Sequence, residues 1–236
     1  MSLFVAFLLA TLLLIPALLV AIPVHEMGHA AAAYLLGDRS VRYFGYFSLN
    51  PRRFLDPLGV IAVFIVLTGW GRRVPVQPNR ISSVRQHVIH ELGGPAANLL
   101  VALVLGFVYR LLILAGMFPS PAFSPGLLAY ALYAIIFLNL SIFAFQLLPF
   151  PGLDGWGVIE ALFRNRNPKF FFQVQTRRRE IQAGGVIVLV LYQALQGSSL
   201  LSIVMSPFFK PASLISISAC HGYAIPNLAF LFPCLL

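Results

Sequence analysis

Long apolar runs separated by short polar segments dominate the chain. Four of them are long enough to cross a bilayer as helices, a length that takes roughly 20 residues. They cover 3–24, with the helix continuing toward Gly37, then about 88–114, 127–148 and about 184–208. A fifth run, 58–69, has only 12 residues, and that length favours a re-entrant or interfacial segment over a crossing. The pattern predicts a polytopic helical bundle.

Two further stretches complete this prediction. Residues 41–48 mix aromatic and β-branched side chains, which predicts a short strand or hairpin at the membrane surface. The stretch 211–236 is apolar but interrupted by Pro226 and Pro233. We therefore predict an all-α integral membrane protein with four to six membrane segments, one of them short or re-entrant, and room for a small surface β-hairpin. Residues 1–210 would form the core, and 211–236 a tail or one more membrane segment.

The composition agrees with a membrane location. Hydrophobic residues make up 59% of the chain and charged residues only 10%, whereas soluble domains average about 45–50% and 25%. These values exclude a disordered chain, a coiled coil and a nucleic-acid-binding protein. The lipid bilayer is thus an expected partner and nucleic acid is not.

The positive charges indicate an orientation. The net charge is +9, and 14 of the 16 lysines and arginines lie in two segments, 38–87 and 150–183. If the short run does not cross, both segments lie on one side, and the positive-inside rule makes that side cytoplasmic. The basic and aromatic part of the second segment, 163–180, is then a surface loop or, alternatively, a dock for substrate or lipid.

The first apolar run ends in His25-Glu26-Met27-Gly28-His29. Two histidines four residues apart share one face of a helix, and this spacing lets both bind one Zn²⁺. Glu26 is turned about 100° away, which suits a general base acting on zinc-bound water. Ionisable residues inside a membrane segment indicate a functional site. The alternative is a buried, hydrogen-bonded His–Glu cluster that joins two helices.

A catalytic zinc site needs a third protein ligand. Asp154 follows the third long run, which the charge count directs from outside to inside, as it does the first. Asp154 and the two histidines therefore reach the same depth at the cytoplasmic side. The alternative is an ordinary loop aspartate after a proline turn. The other acidic candidates for a third ligand are Glu91, Glu160 and Glu180, of which Glu160 is the runner-up.

With these motifs the chain resembles the site-2 protease family of intramembrane zinc metalloproteases. The family pattern N-x-x-P-x-x-x-L-D-G is met at Pro149, Leu153, Asp154 and Gly155, with Gln146 in place of the asparagine. Further matches are RFLDPLG at 53–59, GWGRRVPVQPN at 69–79 and GGPAANLL at 93–100. The resemblance covers about residues 8–210 and is greatest to the compact prokaryotic branch without a PDZ or CBS domain.

The resemblance implies hydrolysis of a peptide bond in or near a transmembrane segment of a substrate protein, at a prokaryotic cell membrane. One Zn²⁺ per chain would be held by His25, His29 and Asp154, with Glu26 as the catalytic base. Asn98 is a candidate for binding substrate, although interhelical hydrogen bonding is the alternative. Gln146 is the second candidate, because the family's asparagine there holds substrate or an oxyanion.

Another class of function uses the same polar residues. A non-catalytic membrane protein could bind or transport metal through them, but a transporter should offer ligands along a path through the membrane. Here the candidate ligands gather near one face, which favours the protease.

Overall fold

The computed structural model describes residues 3–48, 50–77, 79–117, 127–196 and 200–217. These ranges are mostly helical and contain no strand. The α-helices are α1 (Leu3–Leu35), α2 (Ser40–Tyr43), α3 (Pro57–Val66), α4 (Val84–Leu114), α5 (Leu127–Gln146), α6 (Asp154–Phe163), α7 (Pro168–Thr176), α8 (Arg178–Gln196) and α9 (Leu200–Ile217). A 3-10 turn covers Pro51–Arg53. The prediction of an all-α membrane protein is confirmed.

Three helices are long and apolar enough to cross a membrane, and a fourth is a shorter apolar helix. The three candidate spans are Thr11–Leu35 in α1, Val84–Leu114 in α4 and Leu128–Gln146 in α5, and the shorter helix is α9. α1, α4 and α5 pack against one another, and α9 lies on α4 and α5. Together they form the four-helix bundle that carries the functional groups.

Contacts along α9 fix its direction. The rings of Phe137 in the middle of α5 and Phe209 in the middle of α9 are 5.7 Å apart, centroid to centroid. Arg110, near the end of α4, donates hydrogen bonds to the carbonyl oxygens of Leu214 and Ile215 near the end of α9. α4 and α9 therefore run parallel, and α9 begins at the end of the bundle where α5 finishes. We call this end, which also holds Asp154, the site end.

Small residues let α1 and α4 approach closely. A Cβ on Gly28 would overlap the Gly93 carbonyl oxygen and the Ala97 side chain, so only glycine fits there. Close backbone contact between small residues is a common way to pack membrane helices. The crossing brings the histidine face of α1 directly against α4.

The short apolar run forms α3, as its length suggested. The Asp56 carboxylate caps the helix by accepting hydrogen bonds from the backbone N–H groups of Leu58 and Gly59, and Leu67 ends it in the left-handed conformation. Ten residues rise about 15 Å, half of the hydrocarbon thickness. The Ser141 hydroxyl of α5 donates to the Leu67 carbonyl oxygen, so α3 ends inside the bundle.

Residues 41–48, expected to form a strand or hairpin, begin with the helical turn α2 and continue as turns. Asp38, which is buried, accepts hydrogen bonds from the Ser40 backbone N–H and hydroxyl and from the Gln77 N–H. A side chain that satisfies these donors favours the start of a helix over an extended chain. Burial raises the pKa of Asp38, but the hydrogen bonds from Ser40 and Gln77 outweigh burial and hold the pKa below its ordinary value.

The predicted span at about 184–208 is divided between α8 and α9. α8 begins with charged residues, Arg178 to Glu180, and leaves Ile187, Val188 and Leu191 exposed. α9 runs past residue 210, the boundary expected for the core, to Ile217. The rest of the expected C-terminal tail, 218–236, lies outside the described residues.

Candidate metal centre

Three buried side chains from distant parts of the chain meet at the site end. The Asp154 Oδ2 atom lies 3.0 Å from His25 Nε2 and 3.2 Å from His29 Nε2. The two Nε2 atoms are 3.1 Å apart. Among the described residues, these three side chains form a group of possible metal ligands that lie close enough together to hold one ion.

The hydrogen bonds of Asn98 fix the tautomer of His25. The Asn98 Nδ2 group donates to the Ala21 carbonyl oxygen at 2.9 Å and to Asn139 Oδ1 at 2.8 Å. Asn98 Oδ1 is therefore the acceptor that faces His25 Nδ1, at 2.7 Å. His25 therefore carries a proton on Nδ1, and as a neutral imidazole it presents a lone pair on Nε2.

His29 is held in the same tautomer by the backbone. Its Nδ1 atom lies 2.8 Å from the His90 carbonyl oxygen, and a carbonyl can only accept, so Nδ1 carries the proton. As neutral imidazoles, both histidines direct the Nε2 lone pair toward the Asp154 carboxylate, whose Oδ2 atom has no hydrogen-bond partner among the described residues. Without a proton on either Nε2 atom, these three electron-rich atoms would repel one another in the buried space unless a cation lay between them.

The spacing of these three atoms suits a tetrahedral metal ion. Zinc bonds of about 2.0 Å to nitrogen and oxygen place neighbouring ligand atoms of a tetrahedron about 3.3 Å apart. The observed separations of 3.0, 3.1 and 3.2 Å are close to that value. Imidazole and carboxylate donors, with each imidazole oriented by a second hydrogen bond, form a common zinc donor set. The residues present therefore fit Zn²⁺ with three protein ligands.

Glu26 lies beside this cluster without being part of it. The side chain is buried, and its Oε2 atom has no hydrogen-bond partner among the residues that the structure describes. A Cβ on Gly71 would overlap Glu26 Oε1, so the backbone of residue 71 lies directly over the carboxylate. That backbone is anchored by a bridge between Leu55 and Gly71 and by the bond from the Arg72 N–H to the Phe54 carbonyl oxygen.

The loop before α6 positions Asp154. Arg73 donates to the carbonyl oxygens of Gly152 and Leu153, at 3.3 and 3.4 Å, and its guanidinium lies 3.9 Å from the Glu91 carboxylate of α4. One arginine thus connects the loop that carries Asp154 to the helix packed against α1. Arg73 lies in the stretch 69–79 that was matched to the family, but only the fold shows what it contacts.

The two candidates for binding substrate have different surroundings. Asn98 is fully buried, and its amide contacts His25, Ala21 and Asn139, which is the arrangement expected of interhelical hydrogen bonding. Gln146 is also buried, with Nε2 3.4 Å from the Gly69 carbonyl oxygen and Oε1 lacking a partner. Gln146 therefore keeps an acceptor that nothing in the described chain uses.

The alternative acidic ligands lie elsewhere. Glu160 pairs with Arg164 on the same helix at 3.6 Å, Glu91 faces Arg73, and Glu180 is exposed. Sequence reasoning missed Asn139, whose side chain orients Asn98 and is itself held by the Ile135 carbonyl oxygen. A polar residue within an apolar span was the signal that could have identified it.

We expect Gly94→Ala to abolish metal binding, because a Cβ there would overlap His29 Nε2 and crowd the His25 ring. Zinc affinity should fall more than about 100-fold, beyond the usual loss for a changed supporting residue. Gly184→Ala is the matched control, since a Cβ at Gly184 meets nothing within 4 Å. Zinc titration of both purified variants measures the effect, and equal affinities would contradict the arrangement described.

Asn98→Leu should lower zinc affinity by about 10- to 100-fold, the usual cost of losing the group that orients a histidine ligand. Asn98→Asp keeps an acceptor for His25 Nδ1 and should bind zinc more tightly than Asn98→Leu. Competition with a zinc chelator gives both affinities. If the leucine variant binds zinc as the wild type does, Asn98 does not position His25.

Comparisons with known proteins agree with this geometry. No family model and no solved structure matches the chain. "Putative zinc metalloprotease YwhC" of Bacillus subtilis is 38% identical over 151 residues, which are 63% of this chain and 68% of YwhC. "Putative zinc metalloprotease Rip2" of Mycobacterium tuberculosis is 36% identical over 155 residues, or 62% of this chain and 55% of Rip2. Rip2 of Mycolicibacterium smegmatis is also 36% identical, over 63% of this chain and 56% of its own length.

The chain thus spans just over two thirds of YwhC and little more than half of Rip2. The matched relatives bear metalloprotease names, which agrees with the motifs of the sequence. On the similarity to YwhC, the chain belongs to the site-2 protease family.

Proposed function

We propose that the protein is a zinc metalloprotease that hydrolyses a peptide bond in or near a transmembrane segment of a membrane protein. One observation carries the proposal: two imidazole Nε2 atoms and the Asp154 carboxylate converge beside Glu26, whose Oε2 atom has no hydrogen-bond partner within the described chain. A donor set for a metal next to a free base is the arrangement that metal-assisted hydrolysis requires. The names of YwhC and Rip2 support it.

His25, His29 and Asp154 would hold the ion, with Asn98 and the His90 carbonyl orienting the imidazoles. When bound, Zn²⁺ supplies a Lewis acid that activates water and polarises the scissile carbonyl.

Glu26 would accept the proton of the attacking water on its free carboxylate oxygen. It would then pass that proton to the nitrogen of the leaving amine. Because Glu26 and the ligands are buried, bulk water is largely kept from the reacting groups.

The substrate segment would have to be unwound at the cleavage site, because a helical backbone carbonyl is already hydrogen-bonded. Gln146 is the proposed contact for the unwound chain, since its buried Oε1 lacks a donor and a substrate N–H would supply one. The site end carries the basic segments that follow α1 and α5, which supports a location on the cytoplasmic side of a cell membrane.

Removal of zinc tests the proposal. Protein reconstituted in liposomes should cleave an apolar peptide of about 20 residues that spans the bilayer. Cleavage should stop after dialysis against a zinc chelator and return when about one equivalent of Zn²⁺ is added. Cleavage by zinc-free protein would contradict the metalloprotease, and zinc flux across the liposomes without cleavage would favour a transporter.

A further inference from the structure

An apolar cavity of about 540 Å³ opens at the site end, between the loop after α5 and the helices α8 and α9. Volumes of this order are typical of pockets that bury most of a small ligand. Among the described residues that line the cavity, none is charged. The lining includes Trp70, Phe145, Leu153, Gln182 and Val186.

Two residues of its wall connect the cavity to the metal centre. Leu153 directly precedes Asp154, and Trp70 directly precedes Gly71, whose backbone covers the Glu26 carboxylate. The Trp70 ring stacks on Phe145, with centroids 6.5 Å apart and planes at 21°. A chain lying across the metal centre could therefore place a neighbouring side chain in the cavity.

The side-chain amide of Gln182 interrupts the apolar wall. Gln182 of α8 is 8% exposed, and its Nε2 group has no hydrogen-bond partner in the part of the chain that the structure describes. A buried amide donor without an acceptor is unfavourable unless an occupant supplies one. The Nε2 atom lies against Gly152, two residues before Asp154. A backbone carbonyl of a bound peptide would supply the missing acceptor for Gln182 Nε2 after a small rotation of the amide.

We propose that this cavity binds a large apolar side chain of the polypeptide substrate, next to the scissile bond, with Gln182 donating to an adjacent backbone carbonyl. The proposal rests on the proteolytic function proposed above. The uncharged lining offers no partner for a phospholipid headgroup, whereas an apolar side chain beside one backbone carbonyl matches both the apolar wall and the amide donor of Gln182.

Fluorescence of Trp70 tests occupancy directly. The sequence contains two tryptophans, Trp70 and Trp156, and Trp156 packs against Phe171 of α7, away from the cavity lining. In the zinc-loaded variant Trp156→Phe with Glu26→Gln, which removes turnover, Trp70 is the reporter. The probe is an apolar peptide of about 20 residues with one bromophenylalanine moved stepwise along it.

Saturable quenching of Trp70 at one bromophenylalanine position is the expected result. Val186→Phe should fill the cavity and weaken that quenching about tenfold, because one misfitting group in an apolar pocket changes affinity by 10- to 200-fold. Val190→Phe is the matched control on the same helix, since Val190 does not line the cavity. Gln182→Leu should weaken binding about fivefold through the lost hydrogen bond.

Two results would overturn the proposal. One is quenching by brominated lipid acyl chains that the peptide cannot relieve, which would make the cavity a lipid site. The other is equal quenching at every peptide position, unchanged by Val186→Phe.

Kinetics of the wild type separate this proposal from the proteolytic function. If peptides are cleaved, a phenylalanine at the quenching position should lower KM about tenfold relative to alanine, and Val186→Phe should abolish this difference. If peptides are cleaved without any such preference, the cavity is not a substrate subsite, but the proposed proteolytic function still stands. If the protein binds zinc and shows position-specific quenching but does not cleave the peptides, the proteolytic function is refuted. The cavity would then remain a peptide-binding site.

Discussion

Glu26→Gln is expected to remove peptide hydrolysis while leaving the metal centre occupied. Glutamine has nearly the same shape as glutamate but cannot take a proton from water, and a positioned general base contributes about 10²–10⁴-fold to rate. That range corresponds to about 3–5 kcal/mol of transition-state stabilisation. Because Glu26 Oε2 has no hydrogen-bond partner in the described ranges and lies outside the ligand triangle, its replacement should leave zinc content at about one per chain.

Two measurements on the same preparation decide this prediction. Metal analysis reports the zinc content, and cleavage of a transmembrane peptide reports kcat/KM. Glu160→Gln is the control with the same chemical change on α6, where Glu160 pairs with Arg164. Zinc and cleavage both retained in Glu26→Gln would show that another group acts as the base. Zinc lost would show that Glu26 supports the metal.

The central part of the site could be predicted from two simple rules, the spacing of residues on a helix and the distribution of positive charges along the chain. The spacing of His25 and His29 puts both imidazoles on one face of any helix, whatever the fold around it. The distribution of basic residues then predicts that Asp154 lies at the same end of the bundle, although more than 120 residues separate it from His29. Neither rule needs knowledge of helix packing, and the structure places the three side chains together.

The groups that support the site follow from packing, which the sequence does not display. Asn98 could be read as a helix contact or a substrate contact, and only the positions of Ala21 and Asn139 show where its amide points. Arg73 reaches two carbonyls that lie 79 and 80 residues away along the chain. A long-range contact of one flexible side chain leaves no periodic pattern in the sequence.

The two errors in local structure have physical causes. For 41–48, β-branched and aromatic residues favour strands only where a partner strand exists, and Asp38 instead stabilises a helical turn. For 184–208, hydropathy alone does not distinguish a helix that crosses the bilayer from one that lies along it. α8 is charged where it begins and exposes apolar residues, which fits a helix at the interface.

Asp154→Ala should remove zinc from the protein. With one of three ligands gone, His25 and His29 offer two nitrogens, fewer than the three protein ligands of known catalytic zinc sites. We expect zinc content to fall from about one per chain to near zero after dialysis, together with cleavage. The matched control is again Glu160→Gln, which changes the runner-up ligand and should keep zinc. Far-UV circular dichroism should show that both variants stay helical.

The pair of variants separates the three explanations of the histidine motif. Zinc lost only with Asp154 supports the ligand set that the structure brings together. Zinc lost only with Glu160 would require that side chain to leave Arg164 and reach the histidines, so the orientation of α6 would have to change. If neither the wild type nor either variant binds zinc in chelator-free buffer, no metal ion lies between the two Nε2 atoms. The buried triangle around Asp154 would then require a proton on one imidazole nitrogen, and its function would be to join α1 to α6.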